Sequence, residues 1–275
     1  MDLDAYLHRI RYDGPRDASA ATLAAVAHRH AMAIPFENLS VLASGPPDLE
    51  LGAIEDKLVQ RRRGGYCYEQ NHLLLGALRA LGFDVEPLSA RVRYALPAGT
   101  PTPRSHMVLR VTTGAGSWLV DAGFGRFTLT APVNLATRDP QQTSHEPVRV
   151  VPIEDGFVLQ FYAEREWRDA YSFDFVPQLP VDYVQQNFYT AARPGALFAT
   201  NLVVTMPGAG GRRTLFNRTL AWRSSAGAAE RTSLESIDAL RDVLQTAFGL
   251  RIDGAELARA WEVSGRGNDA LAMFV

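Results

Sequence analysis

The sequence predicts an α+β protein whose successive thirds are helical, then β, then mixed, and three observations carry that prediction. Apolar residues recur at helical spacing from Leu3 to Leu81. Short β-rich runs separated by Gly and Pro follow, and the last third joins a hairpin pattern to two helical ones. The 275 residues exceed a usual single domain of roughly 100 to 200, so two or three packed units are expected.

In the first third the helical spacing is held by Ala21, Leu23, Ala24, Val26 and Ala27, then by Leu73, Leu74, Leu75, Leu78 and Leu81. Gly82 follows the last of these and supplies a helix stop, which places a boundary near Asp84. The runs VEPLSARVRY, MVLRV, WLVDAG, VRVVPI, FVLQFY and YSFDF then predict an antiparallel sheet or small barrel through about Phe175. In the mixed third, LVVTMPGAGGRRTLFN reads as a hairpin with residues 207–212 at its tip. Residues 232–235 resemble a capping box opening a helix through Phe248, and a short helical pattern over 254–263 precedes a Gly-containing tail. The GAGG at 208–211 lacks the lysine of a phosphate-binding loop and leads into a strand, so a hairpin tip is the expectation there.

Composition excludes several classes of function. With 47% hydrophobic and 21% charged residues the chain reads as neither disordered nor a membrane protein. A formal net charge of −2, with residues 61–63 as the one tight basic cluster, argues against a nucleic-acid partner. A single cysteine forms no internal disulfide and fits a reducing compartment. The start, MDLDAYLHRIRYDG, has no apolar signal core, and no run of about 18 apolar residues occurs, so a cytoplasmic protein without a membrane partner is expected.

That cysteine, Cys67, lies in RRRGGYCYEQN, after two glycines and where a helical pattern begins. A thiol near its ordinary pKa of about 8.5 is mostly protonated at neutral pH, so a nucleophilic cysteine needs a helix amino terminus or an imidazolium beside it. Gly64 and Gly65 let the chain turn sharply and approach closely, and the helix start would place unpaired amides beside the sulfur, favouring thiolate. The opposing reading, a small apolar packing residue, is common for free cysteine and stands beside the first.

Spacing sorts the histidines. His72 lies five residues beyond Cys67 on the same helix and is turned off its face, while His8, His28, His30 and His145 lack an evident carboxylate partner and suit surface or capping roles. His106 opens the strand MVLRV and Asp121 closes WLVD, with TTGAGS between them as a hairpin turn. A turn centred near Gly114 puts His106 opposite Ala122, one residue from Asp121, so that the two side chains meet. An aspartate against one imidazole nitrogen fixes the tautomer and leaves the other for a nucleophile, so Cys67, His106 and Asp121 make a chemically complete triad. A surface hydrogen bond between two strand-end residues is the alternative for the pair.

These segments resemble the arylamine N-acetyltransferase family. RGGYCYEQN is similar to its signature around the catalytic cysteine, HRHAMAIPFENLS to its upstream signature, and SHMVL and VDAGFG to its histidine and aspartate segments, in the same order. The resemblance implies a helical bundle over 1–84 carrying the cysteine, a β-barrel over 85–185 carrying His and Asp, and an interdomain segment with an α/β lid over 186–275, built around a cysteine-protease-like triad. It implies ping-pong transfer in which Cys67 takes acetyl from acetyl-CoA, a co-substrate and not a resident cofactor, and gives it to an aromatic amine, hydrazine or N-hydroxyarylamine. By the same resemblance, Phe36, Phe124 and Phe198 match positions of the acceptor pocket and Thr102 and Gly125 match the coenzyme side of the cleft. Arg63, Glu37 and Asn71 match motif positions that support the triad region. Each phenylalanine is equally of a type that packs in cores.

Other functions use the same residue types. A family-related amide synthase would act on a larger acyl donor in a more open cleft. A thiol hydrolase or transglutaminase-like enzyme would arrange the same three groups, and a silent binding protein would have no need of them. With no paired cysteines and no HExxH, no metal site is expected.

Overall fold

A computed structural model describes residues 1–97, 99–225 and 227–266. Helix α1 (Leu3–Arg9) opens at Asp2, whose carboxylate accepts from the Ala5 amide, and α2 (Ala20–Ala33) at Ser19, whose hydroxyl accepts from Thr22 N. Each cap satisfies a donor that a helix start leaves free. Strand β1 (Phe36–Glu37) interrupts the helical third; two residues are too few to carry a period-2 signal. Helices α3 (Leu39–Ser44) and α4 (Leu51–Glu55) follow, and α4 runs into one wider π-type turn, Asp56–Gln60. Helix α5 (Cys67–Ala80) stops before Gly82, whose φ of 87° is the left-handed conformation expected of it.

The β third forms one antiparallel sheet of β2 (Asp84–Val92), β3 (Arg104–Thr113), β4 (Gly116–Val120), β5 (Val133–Asn134), β6 (Val148–Ile153), β7 (Gly156–Ala163) and β8 (Glu166–Pro177), in the order β5-β4-β3-β2-β8-β7-β6. Gln141 draws its two ends together. Its backbone exchanges both hydrogen bonds with Val148 of β6, while its side chain accepts from Asn134 N of β5 at 2.7 Å and donates to Asn134 O at 2.9 Å. The result is a nearly closed barrel filled by Leu88, Val108, Leu119, Val133, Leu159 and Tyr171, and the paired ends leave little free edge.

Helices α6 (Pro180–Ala192) and α7 (Leu197–Thr200) lead to a second antiparallel sheet of β9 (Val203–Gly208), β10 (Gly211–Phe216), β11 (Thr219–Ser224) and β12 (Ala229–Ser233). Strand β1 completes it, with Phe36 opposite Thr205 and Glu37 opposite Val204, so the mixed third closes onto a strand of the first. Helices α8 (Ile237–Phe248) and α9 (Gly254–Ser264) cover this sheet through Leu240, Leu244 and Leu257 against Leu202, Val204 and Leu215.

Two local expectations change. The β9–β10 hairpin tip is tighter than residues 207–212, because Pro207 pairs with Arg212 and Gly208 with Gly211, leaving Ala209 and Gly210 as the turn. Helix α8 is capped by Ser236, which accepts from Ala239 N, and not by a box at 232–235; Thr232 and Ser233 are committed to pairing with β11. The tail at 267–275 lies outside the described residues. Among the described residues no helix is long and apolar enough to cross a membrane.

Candidate active site

Cys67 is the first residue of α5, and what places it there is close packing. A Cβ on Gly64 would lie 2.2 Å from Pro35 O, and one on Gly65 2.8 Å from Glu69 Cβ. Neither glycine adopts positive φ, so they serve close approach and not a sharp turn. Gly65 N donates to Pro35 O and Glu37 N to Gly65 O, laying the segment along β1. At the helix start Tyr66 N donates to Glu69 Oε2, a backward cap whose signal, a Glu three residues into the helix, stood in the sequence unread. Lys57 Nζ donates to Glu69 Oε1 at 2.8 Å; burial raises the Glu69 carboxyl, and the buried lysine beside it opposes that without prevailing.

His106 Nε2 lies 2.7 Å from Asp121 Oδ2, and both residues are buried. The hairpin that joins them is one residue out of the predicted register. Its turn is Gly114 and Ala115, with Thr113 opposite Gly116 and Leu109 opposite Val120. Because strand side chains alternate, the predicted register would have put Asp121 on the face away from His106; the observed one puts them on one face as diagonal neighbours. His106 is also inside β3, paired with Ala90, and does not open the strand.

Asn71 joins this pair to the cysteine helix. Four residues after Cys67 it shares that residue's face of α5. Its Nδ2 donates to Met107 O at 2.7 Å and to Asp121 Oδ1 at 2.9 Å, and its Oδ1 accepts from Ala122 N at 3.0 Å. Gly123 permits the approach: a Cβ there would lie 2.7 Å from Cys67 Cα. Gly123 N also donates to Asp121 Oδ1 at 2.8 Å.

Burial would raise the Asp121 carboxyl, but His106 and the donors from Asn71 and Gly123 hold it below the usual carboxylate range. For Cys67 the balance goes the other way. Burial pushes the thiol up, Asp121's charge adds to this, and the amides of Tyr68 and Met107 oppose it without prevailing. The donors at the helix start therefore do not offset what burial and the Asp121 charge do to the thiol.

Cys67 and His106 open onto one cavity of about 290 Å³. Phe36, Phe124, Phe198 and Thr102 line it, and Gly125 does not. Gly125 sits behind the Phe36 ring, 3.7 Å from where its own Cβ would be, with φ of 67°. Phe36 and Phe198 rings are 5.6 Å apart, and the Phe124 ring lies 5.2 Å from the imidazole, edge to face. Sequence reasoning passed over Tyr171, whose ring lies 5.1 Å from the imidazole on its way across the barrel core.

Arg63 and Glu37 stand behind this site. Arg63 pairs with Glu37 at 3.0 Å and, through two nitrogens, with Glu256 of α9 at 2.7 and 2.9 Å. Glu256 lies 193 residues along the chain, beyond the reach of local pattern. Of the other histidines, His30, expected in a surface or capping role, is buried, with Nε2 on Gln70 Oε1 and Nδ1 on Tyr6 OH. His72 Nδ1 meets Tyr68 O, and His145 Nε2 meets Gly208 O. Among the described residues no cluster of three or more His, Cys, Asp or Glu could hold a metal ion.

A sequence model of the N-acetyltransferase family matches residues 19–257. The arylamine N-acetyltransferase of Mycolicibacterium smegmatis is 41% identical over 262 residues, 94% of this chain and 94% of that protein. The arylamine N-acetyltransferase / N-hydroxyarylamine O-acetyltransferase of Salmonella typhimurium is 36% identical over 91% of this chain and 89% of its own length. Among solved structures, the Mycobacterium marinum arylamine N-acetyltransferase in complex with CoA superposes with a TM-score of 0.90 at 39% identity, covering 95% of this chain and 99% of that one.

Proposed function

The chain belongs to the arylamine N-acetyltransferase family, and we propose that its reaction runs through an acetyl group carried on Cys67. It is an acyltransferase that moves acetyl from acetyl-CoA, a co-substrate, to aromatic amines and N-hydroxyarylamines. Aryl hydrazines fit the same chemistry. The observation that carries the proposed course is Asn71, which ties the Cys67 helix to both the His106 strand and the Asp121 carboxylate beside one aromatic cavity.

In the first half-reaction the Cys67 proton passes to His106 Nδ1, the nitrogen that Asp121 leaves free. The charge pair that forms offsets the cost burial imposes on a lone thiolate. Sulfur attacks the acetyl carbonyl, the C–S bond to coenzyme A breaks, and the departing thiolate takes the proton from His106. In the second half the amine attacks the acetyl-cysteine, His106 removes its proton, and the Cys67 sulfur leaves and is reprotonated. A thioester intermediate suits this, since sulfur is a good leaving group toward an amine.

Residues 1–84 supply the nucleophile, 85–185 the base and its aspartate, and the described part of 186–275 the cover, with Phe198 reaching in from it. Phe36, Phe124 and Phe198 offer faces to an aryl acceptor, and Thr102 to the coenzyme; Gly125 acts through the position of Phe36. Cytoplasm is the setting that supplies acetyl-CoA and keeps a lone thiol reduced. Initial rates with acetyl-CoA and an aryl hydrazine test the course: parallel double-reciprocal lines are expected, and intersecting lines would mean that both substrates must bind before any chemistry.

A further inference from the structure

A second cavity, of about 390 Å³, shares no lining residue with the one beside Cys67. Arg9, Arg11, Arg29, Arg62 and Arg213 line it, and no Asp or Glu does. They arrive from the end of α1, the last turns of α2, the loop before α5, and β10, so the fold gathers five cations from four separate segments.

Arg9 is already committed. It is buried, donating to Leu58 O, Ala33 O and Arg63 O, and burial first, then the like charges of Arg62 and Arg11, push its pKa down to about 10. Arg213 lies over the Trp222 ring and reaches Ala247 O at 3.5 Å. Among the described residues the guanidinium groups of Arg11, Arg29 and Arg62 have neither a hydrogen-bond nor an ion-pair partner. The ends of α1, α2 and α8 adjoin the cavity and bring negative dipole ends of about half a charge each. Three such ends offset less than two of the five formal charges. Ile10, Met32 and Phe248 give the cavity an apolar floor beneath the cationic rim.

We propose that this arginine-lined cavity binds a small soluble phosphate-bearing molecule, its phosphate oxygens taken by Arg11, Arg29 and Arg62 and its apolar part resting on the floor. Planar guanidinium forks match phosphate oxygens two at a time, and a volume of this size admits a nucleotide-sized ligand. The two cavities share no lining residue, so occupancy is expected to leave acetyl transfer kinetically unaltered.

Calorimetric titration of the whole protein with pyrophosphate and with ADP at constant ionic strength tests this, beside the Arg11→Gln/Arg29→Gln double variant. Saturable binding, tighter for ADP, weakened at least tenfold in the variant and without change in KM for acetyl-CoA, is the expected result. No binding beyond that of an ionic-strength control, binding unchanged in the variant, or competition with acetyl-CoA would each overturn it. Sedimentation with phosphatidylglycerol vesicles while ADP fails to bind would equally overturn it, by assigning the arginines to a lipid surface.

Discussion

Cys67 and His106, with Asp121 behind the imidazole, meet at one cavity, and the supports on the two sides differ in kind. Behind Cys67 stand buried ion pairs, Lys57 with Glu69 and Arg63 with Glu37 and Glu256, none of which lines the cavity. Behind His106 there is one neutral amide, Asn71, together with the rings of Phe124 and Tyr171. The charged side ties α5 to the π-type turn before it, and the segment leading into α5 to β1 and to α9. The other side positions His106 and Asp121, and beyond the Asp121 carboxylate itself it adds no charge beside the imidazole. Damage to the first should appear as lost stability, and damage to the second as lost chemistry in a folded protein.

The comparison is broken most severely at His106. His106→Ala is expected to lower kcat by about 10⁴-fold or more, as loss of a triad base does elsewhere. The sign of the thiol shift gives a second readout. With its pKa raised and no imidazole to take the proton, Cys67 in this variant should be protonated at neutral pH and alkylated by iodoacetamide only as pH climbs well above about 8.5. Rapid alkylation of the variant at pH 7 would show that the helix start suffices.

On the charged side, Arg63→Ala strands two carboxylates, Glu37 fully buried and Glu256 nearly so. Losing one partner of such a network costs about 3–5 kcal/mol, so a large fall in the chemical-denaturation midpoint is expected, with kcat nearly unchanged in the molecules that remain folded. A stable but inactive Arg63→Ala protein would reverse the roles assigned to the two sides.

Asn71→Ala sharpens the contrast. It removes a donor to the Asp121 carboxylate, and a hydrogen bond to a charged group contributes about 1.5–3 kcal/mol, which corresponds to roughly 10- to 100-fold in kcat. Binding of acetyl-CoA should change little. The smallest effect is expected at Phe198, which is half-buried on the cavity rim. Phe198→Leu keeps an apolar wall but loses the aromatic face, about 1 kcal/mol, and should raise KM for arylamines several-fold more than for acetyl-CoA.

Much of this was legible in the sequence where the signal is local. Helical periodicity, the alternating runs and the Gly82 stop marked α5 and the barrel strands, because each rests on the spacing of neighbouring residues. Strand β1 was not legible, since Phe36 and Glu37 pair with residues near 204 and two residues have no period. The His106–Asp121 contact was anticipated with a register one residue out, a small error in turn placement that flips a face. The link from Cys67 to that pair ran through Asn71 and Gly123, whose spacing announces nothing until the barrel is packed on the helix. Glu256 stayed hidden for the same reason, as a long-range partner in an otherwise ordinary exposed-looking helix.

The most direct test of acetyl transfer through Cys67 is intact-protein mass spectrometry after mixing enzyme with acetyl-CoA, first without an amine and then with an aryl hydrazine, with peptide mapping of any adduct. One acetyl group on Cys67 that disappears as acetylhydrazine forms is the predicted result. Product formed while Cys67 never carries acetyl, or formed equally well by Cys67→Ala, would contradict the account.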